Sequence, residues 1–83
     1  MSTIERAIAI AAEGHAGQKD KAGEPYILHP IRVMLRVSTI EERIAAVLHD
    51  LLEDTPWKRA DLEREGFGLN VLDAVEALTR RSG

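Results

Sequence analysis

Eighty-three residues make one small domain with a thin core, because a chain this short buries only about 60–65% of the surface that its unfolded form exposes. It contains no cysteine, which excludes a disulfide framework and a thiolate metal site and leaves imidazole and carboxylate as the available metal ligands. A net charge of −3 argues against a nucleic-acid-binding module, and no apolar run approaches the ~18 residues of a membrane span. The start, Met1-Ser2-Thr3-Ile4-Glu5-Arg6, has neither the charged lead nor the long apolar core of a signal peptide, so a cytoplasmic protein is expected.

Ser2 and Glu5 have the spacing of a capping box, and Ile4, Ala7, Ile8 and Ala11 recur at helical spacing. Together they predict a first helix over about 3–15, with its apolar stripe in the core. Gly17 to Pro25 reads as a loop, since two glycines and a proline break any periodicity. Lys19 and Lys21 in that loop either meet a phosphate or form an ordinary solvated turn, and composition favours the turn. In Tyr26-Ile27-Leu28-His29-Pro30, the proline disfavours helical geometry at His29, so a second helix is expected over about 30–37. His29 follows an apolar run and is expected to be buried, as a core or capping histidine or as a metal ligand.

Ser38 and Glu41 form a second capping-box pattern, ahead of a helix predicted over about 40–53. At ~100° per residue, Ile44, Val47, Leu48, Leu51 and Leu52 fall on one stripe, with His49, Asp50, Glu53 and Asp54 on the other side. An ordinary amphipathic helix shows the same pattern with its polar face in solvent. Thr55-Pro56 ends it, and Trp57 is expected to anchor the turn against the core. A short helix over about 58–65 is closed by Gly66, and Asn70 is a candidate cap for a last helix over about 70–80, where Arg80 and Arg81 suit the negative end of the helix dipole.

If the polar face of the 44–54 segment turns inward, another chemistry opens. His49 and Asp50, with His29 from the preceding helix start, would offer three ligands to a divalent ion and leave open positions where a water can be activated. Glu53 and Asp54, one turn on, would position that water or carry its proton. Phosphate esters are the natural substrates of such a site, because the ion also offsets charge on phosphoryl oxygens.

The ordered set Gly17-Gln18, Gly23-Glu24-Pro25-Tyr26-Ile27 with His29-Pro30, and Leu48-His49-Asp50 with Glu53-Asp54-Thr55 resembles the HD-domain superfamily. More narrowly it resembles the (p)ppGpp hydrolase domains of the RelA/SpoT type and the small alarmone hydrolases, and Gly66-Phe67-Gly68 and Leu78-Thr79 fit as well. The resemblance covers nearly the whole chain. It implies an all-α bundle of about five helices, with residues 1–83 forming the N-terminal part of a longer domain. It also implies a divalent metal, usually Mn2+, held by His29, His49 and Asp50, with Glu53 and Asp54 activating the water that removes the 3′-pyrophosphate. Thr79 falls where the family places a residue near the nucleotide.

Two departures stand out. The family's fourth metal ligand, an Asp in a Leu-Ala-Asp context in a later helix, has no counterpart here, since Asp73 lies in the wrong helix. The loop carries Asp20 where alarmone hydrolases have an Arg that packs on guanine, while Lys21 is retained. The expected function is a metal-dependent phosphohydrolase acting on a nucleotide pyrophosphate such as (p)ppGpp. The alternative is a catalytically incomplete helical module that binds metal, or self-associates through exposed apolar surface, without turnover.

Overall fold

The computed structural model describes residues 3–82, with side chains as far as Thr79. Among these residues it is all-α, with six helices: α1 (Ile4–Gly14), α2 (Leu28–Leu35), α3 (Ile40–Leu48), α4 (Leu51–Asp54), α5 (Arg59–Arg64) and α6 (Leu69–Ser82). Among the described residues, no helix is long and apolar enough to cross a membrane.

The helix starts follow capping chemistry, one residue later than the sequence pattern suggests. Thr3, extended at φ −111° and ψ 168°, caps α1 by accepting from the Arg6 amide; Ser2 lies outside the described residues. At α3 the reciprocal box joins Thr39 and Glu42, not Ser38 and Glu41. The Glu42 amide donates to Thr39 Oγ1 at 3.1 Å, and the Thr39 amide donates to Glu42 Oε1 at 3.2 Å. Both pairs have the right spacing, and the box closes where the extended residue directly precedes the helix. Asn70 lies inside α6, whose first turn is closed by the Leu72 amide donating to the Gly68 carbonyl, so it is not the cap. The side chains of Arg80 and Arg81 lie outside the described residues.

Helix α2 begins at Leu28, two residues ahead of its predicted start, so Pro30 falls in its first turn. A proline is tolerated there because amides of the first turn have no intrahelical acceptor to lose. The bias that Pro30 places on His29 is overridden, and His29 is helical.

Helix α3 is the axis of the bundle and packs against α1, α2 and α6. An amphipathic stripe was expected, yet every residue from 44 to 51 is buried. A helix enclosed on all sides needs small residues where neighbours approach closely, and Ala45 and Ala46 serve here, as Ala7 and Ala11 do on α1. Each fully buried Leu, such as Leu48, Leu51 or Leu62, contributes roughly 1.5–3 kcal/mol by leaving water. Trp57 packs against this core as expected. At Gly14 a Cβ would collide with the Leu51 side chain, so the absent side chain lets the end of α1 lie directly on α4.

The predicted 40–53 helix is interrupted. It leaves helical pairing after Leu48, turns through His49 and Asp50, and resumes as the four-residue α4. Two polar side chains act at the break. His49 Nδ1 lies against the Ala46 carbonyl, and the Thr79 hydroxyl reaches the His49 carbonyl at 2.7 Å. Carbonyls near a helix end need new donors, and these contacts supply them.

Candidate metal centre

The turn between α3 and α4 and the first turn of α2 bring three side chains together. One ligand atom each from His29, His49 and Asp50 lie within 4.8 Å of one another. Asp50 is at the centre, with Oδ1 3.2 Å from His49 Nε2 and Oδ2 3.5 Å from His29 Nε2. The side chains of His49 and Asp50 are 6% exposed and that of His29 is 51% exposed. His29 is therefore not the buried residue that the apolar run ahead of it suggests. It is the exposed member of a cluster whose other two side chains, His49 and Asp50, are buried.

His49 and Asp50 keep helical backbone angles through the turn, and their side chains bend toward each other to bring Nε2 and Oδ1 within 3.2 Å. The Ala46 carbonyl fixes the chemistry of His49. A carbonyl oxygen only accepts, so Nδ1 carries a proton, and Nε2 is the ring nitrogen turned toward Asp50. A ligating histidine held by a backbone carbonyl at its other nitrogen is a common arrangement at metal sites. Two imidazoles and a carboxylate suit a divalent transition metal, and the residues present fit such an ion.

Tyr26 supports the centre from the loop, donating its hydroxyl to Asp50 Oδ2 at 2.9 Å. Burial, the hydrogen bond to Asp50, and the charges of Asp50 and Asp54 push the Tyr26 phenol well above its ordinary value of 10, so it remains a donor. Tyr26 also lies between two histidines, with ring centroids 5.0 Å from His15 and 5.8 Å from His29.

The other predicted site residues are less closely gathered. Glu53 and Asp54 are exposed on α4, one turn past His49 and Asp50. Lys19 and Lys21 are exposed in the loop. Asp20 closes that loop on itself: Oδ1 accepts from the amides of Ala22 and Glu24, and its own backbone pairs with Gly23 and Glu24. Gly23 adopts φ +84° there, a conformation costly for residues with a Cβ. The Thr79 hydroxyl proton is shared between the carbonyls of His49 and Val75, each at 2.7 Å.

The sequence assigned no role to Tyr26, His15 and Gln18, although Gln18 and Tyr26 stand within the family motifs. His15 carried a usable signal, since it continues the spacing Ile4, Ala7, Ala11 onto the core face of α1. Tyr26 and Gln18 sit in an aperiodic loop, where no spacing rule applies.

A helical scaffold presenting an adjacent His-Asp pair and a second histidine to one pocket is a metal-binding architecture of the HD type. The HD-domain pattern matches residues 7–82, and the chain belongs to that family. It is similar to the guanosine-3′,5′-bis(diphosphate) 3′-pyrophosphohydrolase of Aquifex aeolicus, 44% identical over 81 residues that make up 93% of this chain and 12% of that protein. The bifunctional (p)ppGpp synthase/hydrolase SpoT of Escherichia coli is 37% identical over 81 residues, 93% of this chain and 11% of that protein. A guanosine-3′,5′-bis(diphosphate) 3′-pyrophosphohydrolase of Borreliella burgdorferi is 37% identical over 82 residues, 94% of this chain and 12% of that protein. The chain thus spans about one-eighth of the length of these relatives.

Proposed function

We propose that the chain is the metal-binding part of an HD phosphohydrolase that acts on a nucleotide pyrophosphate such as (p)ppGpp, removing the 3′-pyrophosphate. The observation that carries this reading is the convergence of His29, His49 and Asp50 within 4.8 Å, on a chain whose relatives are named for that hydrolysis. These three residues hold the ion, which we take to be Mn2+. When bound, it supplies a Lewis acid that makes a water nucleophilic near neutral pH and offsets charge on the phosphoryl oxygens.

The remaining steps belong to the chain's own side chains. The His49 tautomer, set by Ala46, keeps Nε2 free to ligate. Tyr26 orients Asp50 through Oδ2. Glu53 and Asp54, exposed at the pocket's edge, hold the attacking water and take its proton. Lys19 and Lys21 supply positive charge to the phosphates. Thr79 meets the nucleotide through its methyl group and oxygen lone pairs, since its proton is engaged elsewhere. We place the protein in the cytoplasm, with residues 1–83 contributing to a larger HD domain.

Calorimetric titration with Mn2+, followed by a pyrophosphate-release assay on (p)ppGpp, tests the reading. Binding near one ion per chain supports it, and a folded chain that takes up no Mn2+ overturns it. A second reading, self-association without turnover, draws on a groove of about 680 Å³ bordered by the exposed Ile40 and Leu69. Sedimentation showing a strict monomer would remove it.

A further inference from the structure

The metal pocket makes no use of two neighbouring polar residues, His15 and Gln18. His15, at the end of α1, is only 2% exposed. Its Nδ1 lies 2.9 Å from Gln18 Oε1, and an amide oxygen only accepts, so Nδ1 carries the proton. Gln18 Nε2 then donates to the Asp54 carbonyl at 3.0 Å. One side-chain amide therefore fastens the end of α1 to the last residue of α4. On the other side, the His15 ring lies 5.0 Å from that of Tyr26, which holds Asp50.

Packing alone does not account for a histidine at this position. Its Nε2 is buried without a hydrogen-bond partner, a destabilising arrangement that an apolar side chain would avoid. The Nδ1 proton is what an apolar residue lacks, and that proton orients the Gln18 amide. We propose that His15 and Gln18 are positioning residues: Gln18 fixes Asp54 beside the metal pocket, and His15 sets the Gln18 amide and backs Tyr26 against Asp50. What Asp54 does rests on the phosphohydrolase reading, whereas what holds it in place does not.

The test compares the wild type with Gln18→Leu, Gln18→Glu and His15→Phe, beginning with metal-free protein. Amide hydrogen exchange is followed at Asp54 and Thr55, which donate to the Asp50 and Leu51 carbonyls, with Leu72 of α6 as internal reference. The expected result is roughly tenfold faster exchange at Asp54 and Thr55 in all three variants, with Leu72 unchanged. Gln18→Glu is diagnostic, because a carboxylate still accepts from His15 but cannot donate to Asp54. His15→Phe keeps a ring against Tyr26 and removes both ring nitrogens, of which only Nδ1 has a partner. With Mn2+ and (p)ppGpp, kcat falls about tenfold while KM and the Mn2+ affinity stay within about twofold, the signature of a displaced proton-handling group. Wild-type exchange at Asp54 in Gln18→Glu overturns the proposal, as does equal acceleration at Leu72, which would mark general destabilisation. A wild type without Mn2+ binding or turnover sinks the phosphohydrolase reading alone, and the exchange data still decide this one.

Discussion

The two ends of α3 are built by different means. Its start is exposed and closes within four residues, as Thr39 and Glu42 satisfy each other's backbone amides. Its end is buried, and its polar groups are answered from far along the chain: Tyr26 reaches Asp50 across 24 positions, and Thr79 reaches the His49 carbonyl across 30. The start depends on local chemistry. The end depends on three other segments, and there the side chains of His29, His49 and Asp50 come together. The candidate site thus sits where local order is interrupted under tertiary control.

Breaking the buried end should have the larger consequences. His49→Ala removes a ligand and is expected to weaken Mn2+ binding by more than about 100-fold in a calorimetric titration; an unchanged affinity would dismiss the metal centre. Tyr26→Phe keeps the ring and loses the bond to Asp50, so affinity should drop by about tenfold. Leu51→Ala, just past the turn and fully buried, should cost about 2–5 kcal/mol in urea unfolding. A loss below about 1 kcal/mol would show that the α4 segment is loosely packed.

At the exposed end, Thr39→Ala should cost about 1 kcal/mol and leave Mn2+ affinity as it was. If metal binding changed as well, the two ends would be coupled and the contrast between them would fail. The smallest effect belongs to the surface pair of Arg6 and Glu65. The hydrogen bond and charge of Arg6 hold the Glu65 carboxyl below its ordinary value of 4.5, so the pair's contribution is present above that pH. It is lost as pH falls through the lowered value. Both groups are solvent-exposed, so the step in an acid titration should be slight and should disappear in Arg6→Ala or at high salt.

Much of the fold was legible from spacing. The helices lie near their predicted places because apolar periodicity and breakers such as Gly66 and Pro56 act locally. Starts moved by a residue or two wherever two pairs shared a spacing, as with Ser38/Glu41 and Thr39/Glu42. The enclosure of α3 was not legible, because a stripe of apolar residues flanked by alanines and one His-Asp pair reads as amphipathic until the neighbours are known. Family motifs singled out His29, His49 and Asp50, and their ligand atoms lie within 4.8 Å of one another. Neither motif nor period indicated that His29 would be exposed, that Tyr26 would hold Asp50, or that Asp20 would be engaged in closing its own loop. Those outcomes depend on how a loop folds over the bundle, and a loop carries no period.

Thr79 offers a last consequence. One hydroxyl proton divides its attention between α6 and the turn that carries His49. The residue is thus a set-screw, carried by the far helix, for the pitch of the joint between α3 and α4. Thr79→Val preserves its shape and releases the joint, while Thr79→Ser preserves the donor and slackens its aim. The two substitutions are expected to shift Mn2+ affinity in a calorimetric titration without touching His29, His49 or Asp50.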